Sequence, residues 1–85
     1  MKASSKKPRL TTYERHLLSA LAHGMPVGKL PAVLNYYSQE PNSISSVDKN
    51  LRKLRKKYNC ATNEQLVYDL RNRVIKLDLE NLKKE

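Results

Sequence analysis

Apolar residues recur along this chain at three- and four-residue intervals, and each run opens near a capping residue and closes at a breaker. That pattern predicts four α-helices in series. The first run holds Leu17, Leu18, Leu21 and Ala22 behind Thr11 and Glu14, whose spacing is that of a capping box. With Gly24 as a left-handed stop, a helix from Thr12 to about His23 follows. Met25 to Lys29, containing Pro26 and Gly28, reads as a loop. Pro31 suits the first turn of a second helix, which Ala32, Val33, Leu34, Tyr36 and Tyr37 continue and which Pro41 and Asn42 end.

The third run, Ser45 to Tyr58, has two opposed faces. At roughly 100° per residue, Val47, Leu51, Leu54 and Tyr58 share a narrow sector, and Lys49, Arg52, Lys53 and Lys56 gather opposite. Ser45 is expected to cap this helix, with Asp48 answering three residues on. After a polar break at Asn59 to Thr62, a fourth helix is expected from Asn63 towards Leu82. It would carry one stripe of Leu66, Leu70, Val74 and Leu77 for the core, and a second of Tyr68, Asn72, Ile75, Leu79 and Leu82. A small domain buries one stripe easily. The second predicts a partner helix, most simply from an identical subunit, with Asn72 setting register.

Charge adds a partner class. The chain has 85 residues, 17 Lys and Arg against 8 Asp and Glu, and a formal net charge of +9. One small domain fits that length, and a strongly basic one favours polyanions, nucleic acid before an anionic membrane surface. Residues 1 to 9 carry Lys2, Lys6, Lys7 and Arg9 with little that is apolar, and read as a disordered basic arm, either lying on phosphates or merely solubilising. Residues 10 to 85 form the folded domain. The single cysteine, Cys60, has no internal partner, and no apolar run is long enough to span a bilayer, so a cytoplasmic, nucleoid-associated protein is expected.

Catalysis finds little purchase. His16 and His23 are seven residues apart with no carboxylate or thiol spaced to complete a metal site, Cys60 has no sequence-nominated base, and two glycines make no phosphate loop. No catalytic residue, metal or cofactor is therefore expected. Double-stranded DNA is the better-supported partner. Six of the nine residues from Lys49 to Lys57 are basic, presented on a rod of about 10–12 Å diameter that fits the major groove. Lys49 and Arg52 sit near its start to reach base edges. Arg55, Lys56 and Lys57 follow farther along for phosphates, which Lys53, Ser45, Ser46 and the helix N-terminus also suit.

Leu10-Thr11, Glu14-Arg15, Leu17-Leu18 and Ala22 with Gly24 resemble the opening of the LuxR/GerE-type helix-turn-helix domain. Ser45-Ser46-Val47, Asn50-Leu51, Leu54 and Lys57 resemble its recognition helix, and Asn63 with Gln65 echo its fourth. The resemblance covers Leu10 to about Leu70 in pieces. It implies an all-α, four-helix helix-turn-helix domain, here a stand-alone and divergent member. Its third helix would enter the major groove and its fourth would dimerise on two-fold related half-sites. By position, base contacts fall on Asp48, Lys49 and Arg52, with Asn50 and Lys56 towards phosphates. Three departures stand out: a longer segment between Leu34 and Val47, Pro26 and Pro31 near the second helix, and Asp48 where the family often has Lys. Asp48 either accepts from a cytosine amino group or caps the helix.

These readings converge on a bacterial or phage transcriptional regulator acting as a homodimer, or as a heterodimer with another regulator. The alternative is an interaction protein that pairs with or sequesters a regulator through its fourth helix, with weak or no DNA binding of its own. General RNA or nucleoid binding is a third expectation, marked by steep salt dependence without sequence preference.

Overall fold

The computed structural model describes residues 9–79. It contains α1 (Thr12–Ala22), α2 (Leu30–Tyr36), α3 (Ile44–Lys57) and α4 (Asn63–Asp69), with 3-10 turns at Val27–Lys29 and Arg71–Arg73 and no strand among the described residues. The all-α class expected from the pattern is present. Of the basic arm, only Arg9 lies within the described residues.

Local chemistry sets the helix ends. The Thr11 hydroxyl accepts the Glu14 N–H at 3.1 Å while the Glu14 carboxylate accepts the Thr11 N–H at 2.9 Å, the reciprocal box the spacing predicts. Helices α1, α2 and α3 close alike. Gly24, Ser38 and Asn59 take φ values of 89°, 56° and 58°, and the next N–H returns to the carbonyl five residues back. These bonds are Met25 to Ala20 at 3.1 Å, Gln39 to Leu34 at 2.7 Å and Cys60 to Arg55 at 2.8 Å.

Burial divides the interior into two apolar clusters. Leu17, Leu30, Val33, Leu34, Val47 and Leu51 anchor one, and Leu18, Leu54, Leu66 and Leu70 anchor the other, all at 2% exposure or less. Helices α1 and α3 each contribute to both clusters, so neither rotates without opening a cavity, at about 2–5 kcal/mol per leucine-sized void.

Two sequence expectations need correction. The third helix starts at Ile44, because Ser43, not Ser45, holds the extended cap conformation and accepts the Ser46 N–H at 3.2 Å. Ser45 is then inside the first turn, and Asp48 is too far along to complete a box. The fourth helix stops at Asp69 instead of running towards Leu82. After Arg73 the chain is extended, and Ile75, Leu77 and Leu79 face inward at period two. Leu77 and Leu79 are 6% and 3% exposed, so Leu79 belongs to the core and not to a dimer seam, and Ile75 packs against the same cluster. Tyr68 and Asn72 remain exposed, and Leu82 lies outside the described residues.

Side chains of the first helix and of the residues that cap the first two helices hold this extended strap. The buried Ser19 hydroxyl accepts the Ile75 N–H at 2.9 Å, His23 Nε2 accepts the Leu77 N–H at 3.2 Å, and the Tyr37 phenol accepts the Asp78 N–H at 2.7 Å. His23 Nδ1 lies 2.7 Å from the Ser19 carbonyl, which only accepts, so Nδ1 carries the proton and Nε2 the lone pair. N–H groups without a ladder thus find side-chain partners, as backbone accounting requires.

Candidate nucleic-acid interface

Helix α3 is pinned from one side only. Val47, Leu51 and Leu54 are at most 1% exposed, which turns the opposite sector outward along the length of the rod. Ser45, Lys49, Arg52, Lys53 and Lys56 are exposed there, within about 100° of arc. Lys49, Lys53 and Lys56 make no hydrogen bond or ion pair among the described residues. Arg52 donates from Nη2 to the Asp48 carboxylate one turn earlier, at 2.9 Å, with side chains 66% and 59% exposed. An open ion pair of this kind contributes little to stability, so the pair leaves α3's fold unaffected.

The other basic and polar residues expected at the interface are occupied by the fold. Lys57 Nζ meets the Glu14 carboxylate at 3.0 and 3.2 Å and the Arg9 carbonyl at 3.2 Å, tying the last turn of α3 to the first turn of α1. Its side chain is only 29% exposed. Arg55 donates to the Asn63 side chain at 2.6 Å, joining α3 to the start of α4. Asn50 donates to the Tyr13 hydroxyl at 3.1 Å, which in turn donates to the Pro41 carbonyl at 2.7 Å. The connection at 37–43 is therefore laced to α1 and α3, and its extra length does not leave α3 loose. Ser46 is engaged with the Ser43 cap through both its N–H and its hydroxyl.

The structure thus brings Lys49, Arg52, Lys53 and Lys56 together with Asp48 and Ser45, and separates from them Asn50, Arg55 and Lys57. Sequence reasoning could not make that split, because the partners Tyr13, Asn63 and Glu14 lie 37, 8 and 43 residues away.

No family model matches the chain. No curated protein or solved structure matches it either. The LuxR/GerE-type resemblance rests on the residues quoted for it.

A second exposed feature lies at α4. Tyr68 is 64% exposed, the Arg71 guanidinium lies 4.1 Å from its ring centroid, and Arg71 also donates to the Tyr68 carbonyl at 2.6 Å. Sequence reading marked Tyr68 and Asn72 but missed Arg71, whose spacing of three from Tyr68 is the available signal. His16 and His23, both half-buried, face the Thr12 and Ser19 carbonyls, and Cys60 is half-buried beside Asp69 at 3.5 Å. Among the described residues no three His, Cys, Asp or Glu side chains converge, and no helix is long and apolar enough to cross a membrane.

Proposed function

We propose that this chain is a sequence-specific DNA-binding transcriptional regulator of the helix-turn-helix kind, with α2 as the supporting helix and α3 as the reading helix in the major groove. One observation carries the reading: Lys49, Lys53 and Lys56 stand unpartnered, among the described residues, on a helix whose other face is fully buried. Cations free of internal pairing on a rigid support are what phosphate neutralisation uses, and displacing condensed counterions from the duplex supplies the affinity. Lys49 and Arg52 lie towards the leading half of α3, for base edges, and Lys53 and Lys56 take backbone. Two copies pair through the exposed surface of α4 and the 3-10 turn that follows it, around Tyr68 and Asn72, which places two reading helices on related half-sites.

Titrating a random-sequence duplex with the protein across a salt series tests this. The expected result is a steep linear fall of log affinity with log salt, with an inverted-repeat motif enriched on selection. Tighter binding to anionic vesicles than to duplex at the same salt would remove the reading. A second reading, an interaction protein that docks another regulator, draws on the stacked Tyr68 and Arg71, a pair of residue types enriched at interface hot spots. It predicts duplex binding only in the partner's presence.

A further inference from the structure

We infer that Asp48 is a positioning residue that fixes Arg52 as a guanine reader, so that the duplex recognised by this face carries a required guanine at one place in each half-site. The inference rests on the DNA-binding reading above and deepens it. Asp48 is the only acidic residue on α3, and it stands at the edge of the outward cationic face, beside Arg52. A carboxylate there costs affinity for any polyanion, so a helix built merely to hold phosphates would be better without it. Fold stability gives it no occupation either, since Ser43 caps the helix and the pair with Arg52 is more than half exposed on both sides.

What the carboxylate does is visible in the guanidinium. Arginine has five N–H donors in a planar fork, and Asp48 Oδ2 takes one from Nη2 at 2.9 Å. With that corner held by the preceding turn, the free arginine has fewer rotamers to lose on binding, and its remaining donors are not claimed by another group among the described residues. Two parallel donors among them match guanine O6 and N7, the one base edge in the major groove with two adjacent acceptors. The same carboxylate repels phosphate oxygens, which steers the fork to bases and away from the backbone. Lys53 and Lys56 have no such partner among the described residues and carry the sequence-independent share.

Selection from random duplex DNA at near-physiological salt, by the full chain and by Asp48→Asn, Arg52→Lys, Arg52→Ala and Asp48→Asn/Arg52→Ala, decides the matter, with thermal melting to confirm that each variant is folded. The full chain is expected to enrich a site in which replacing one guanine by adenine weakens binding about fivefold to a hundredfold. Asp48→Asn is expected to tighten binding to random duplex, because a negative charge is gone, while shrinking the guanine-to-adenine ratio at least about fivefold. Arg52→Lys should lose the ratio as well, and in the Arg52→Ala background Asp48→Asn should leave the ratio where Arg52→Ala alone put it. If Asp48→Asn shifts guanine and adenine duplexes by one common factor, Asp48 does not position Arg52 and the inference falls while DNA binding stands. If the full chain binds no duplex, or enriches no motif, the DNA-reading assignment falls and takes this inference with it.

Discussion

Asn50 on α3 and Tyr13 on α1 are joined by a 3.1 Å hydrogen bond, and the same tyrosine hydroxyl reaches on to the Pro41 carbonyl at 2.7 Å. One oxygen therefore sets the position of the 37–43 connection against two helices. Tyr13→Phe removes both bonds without changing the ring, and the expected cost is about 1–2 kcal/mol, a melting temperature lower by about 4–16 °C. Asn50→Ala should cost a similar amount. The double variant should cost less than the sum, since the two residues share one bond, and thermal melts of the four proteins give the coupling. Strict additivity would mean that the bond contributes nothing.

The basic residues of α3 should separate by experiment into two kinds. Lys53→Ala and Lys56→Ala are each expected to reduce the slope of log affinity against log salt by about 0.9 with no loss of thermal stability. Lys57→Ala should instead lower stability by about 1 kcal/mol, because it removes the tie among Glu14, Arg9 and α3. A Lys57 variant that melts like the parent while losing as much slope as the others would contradict the division.

Leu79 distinguishes core from dimer seam. At 3% exposure, Leu79→Ala should destabilise the fold by about 2–4 kcal/mol at any protein concentration. Were it an interface residue, the loss would shrink as protein concentration rises, and sedimentation would show a change in mass. Tyr68→Ala should do the reverse, leaving the melt of a dilute sample intact while shifting association at tens of micromolar.

Amide exchange reads the strap directly. The N–H groups of Ile75, Leu77 and Asp78 are expected to be protected although they belong to no helix or sheet, and that of Lys76 to exchange quickly. Ser19→Ala should release Ile75 first and cost about 1–3 kcal/mol, since a buried N–H then lacks its acceptor. Uniformly fast exchange over 74–79 would show that the strap is not docked in solution.

Much of this molecule was readable from pattern. The Thr11 and Glu14 box, the Gly24 stop and the Val47, Leu51, Leu54 stripe depend on neighbours within a turn or two, and each stands where the spacing put it. The third helix's start was missed because Ser43, Ser45 and Ser46 all have cap chemistry, and only backbone conformation chooses among them. The fourth helix was overextended for a deeper reason. Leu66, Leu70, Val74 and Leu77 fit a helical period, while Ile75, Leu77 and Leu79 fit an alternating one, and Leu77 belongs to both. What selects the second is a set of acceptors on Ser19, His23 and Tyr37, more than 40 residues earlier. On α3, the separation of free from engaged cations likewise hangs on distant partners. The fold was legible where its causes are local, and the site only as far as a face.

The strap also dictates an order of events at the ribosome. Its clamps join residues 54 and 56 positions apart, so α1 and α2 emerge long before the segment that covers them. Until Leu77 and Leu79 arrive, the hollow beside Leu17, Leu30 and Val33 stays open and apolar, a surface that chaperones bind. A message cut short between codons 70 and 77 therefore yields a polypeptide with α1 to α4 present and its interior unsealed, recognisable to quality control by that hollow.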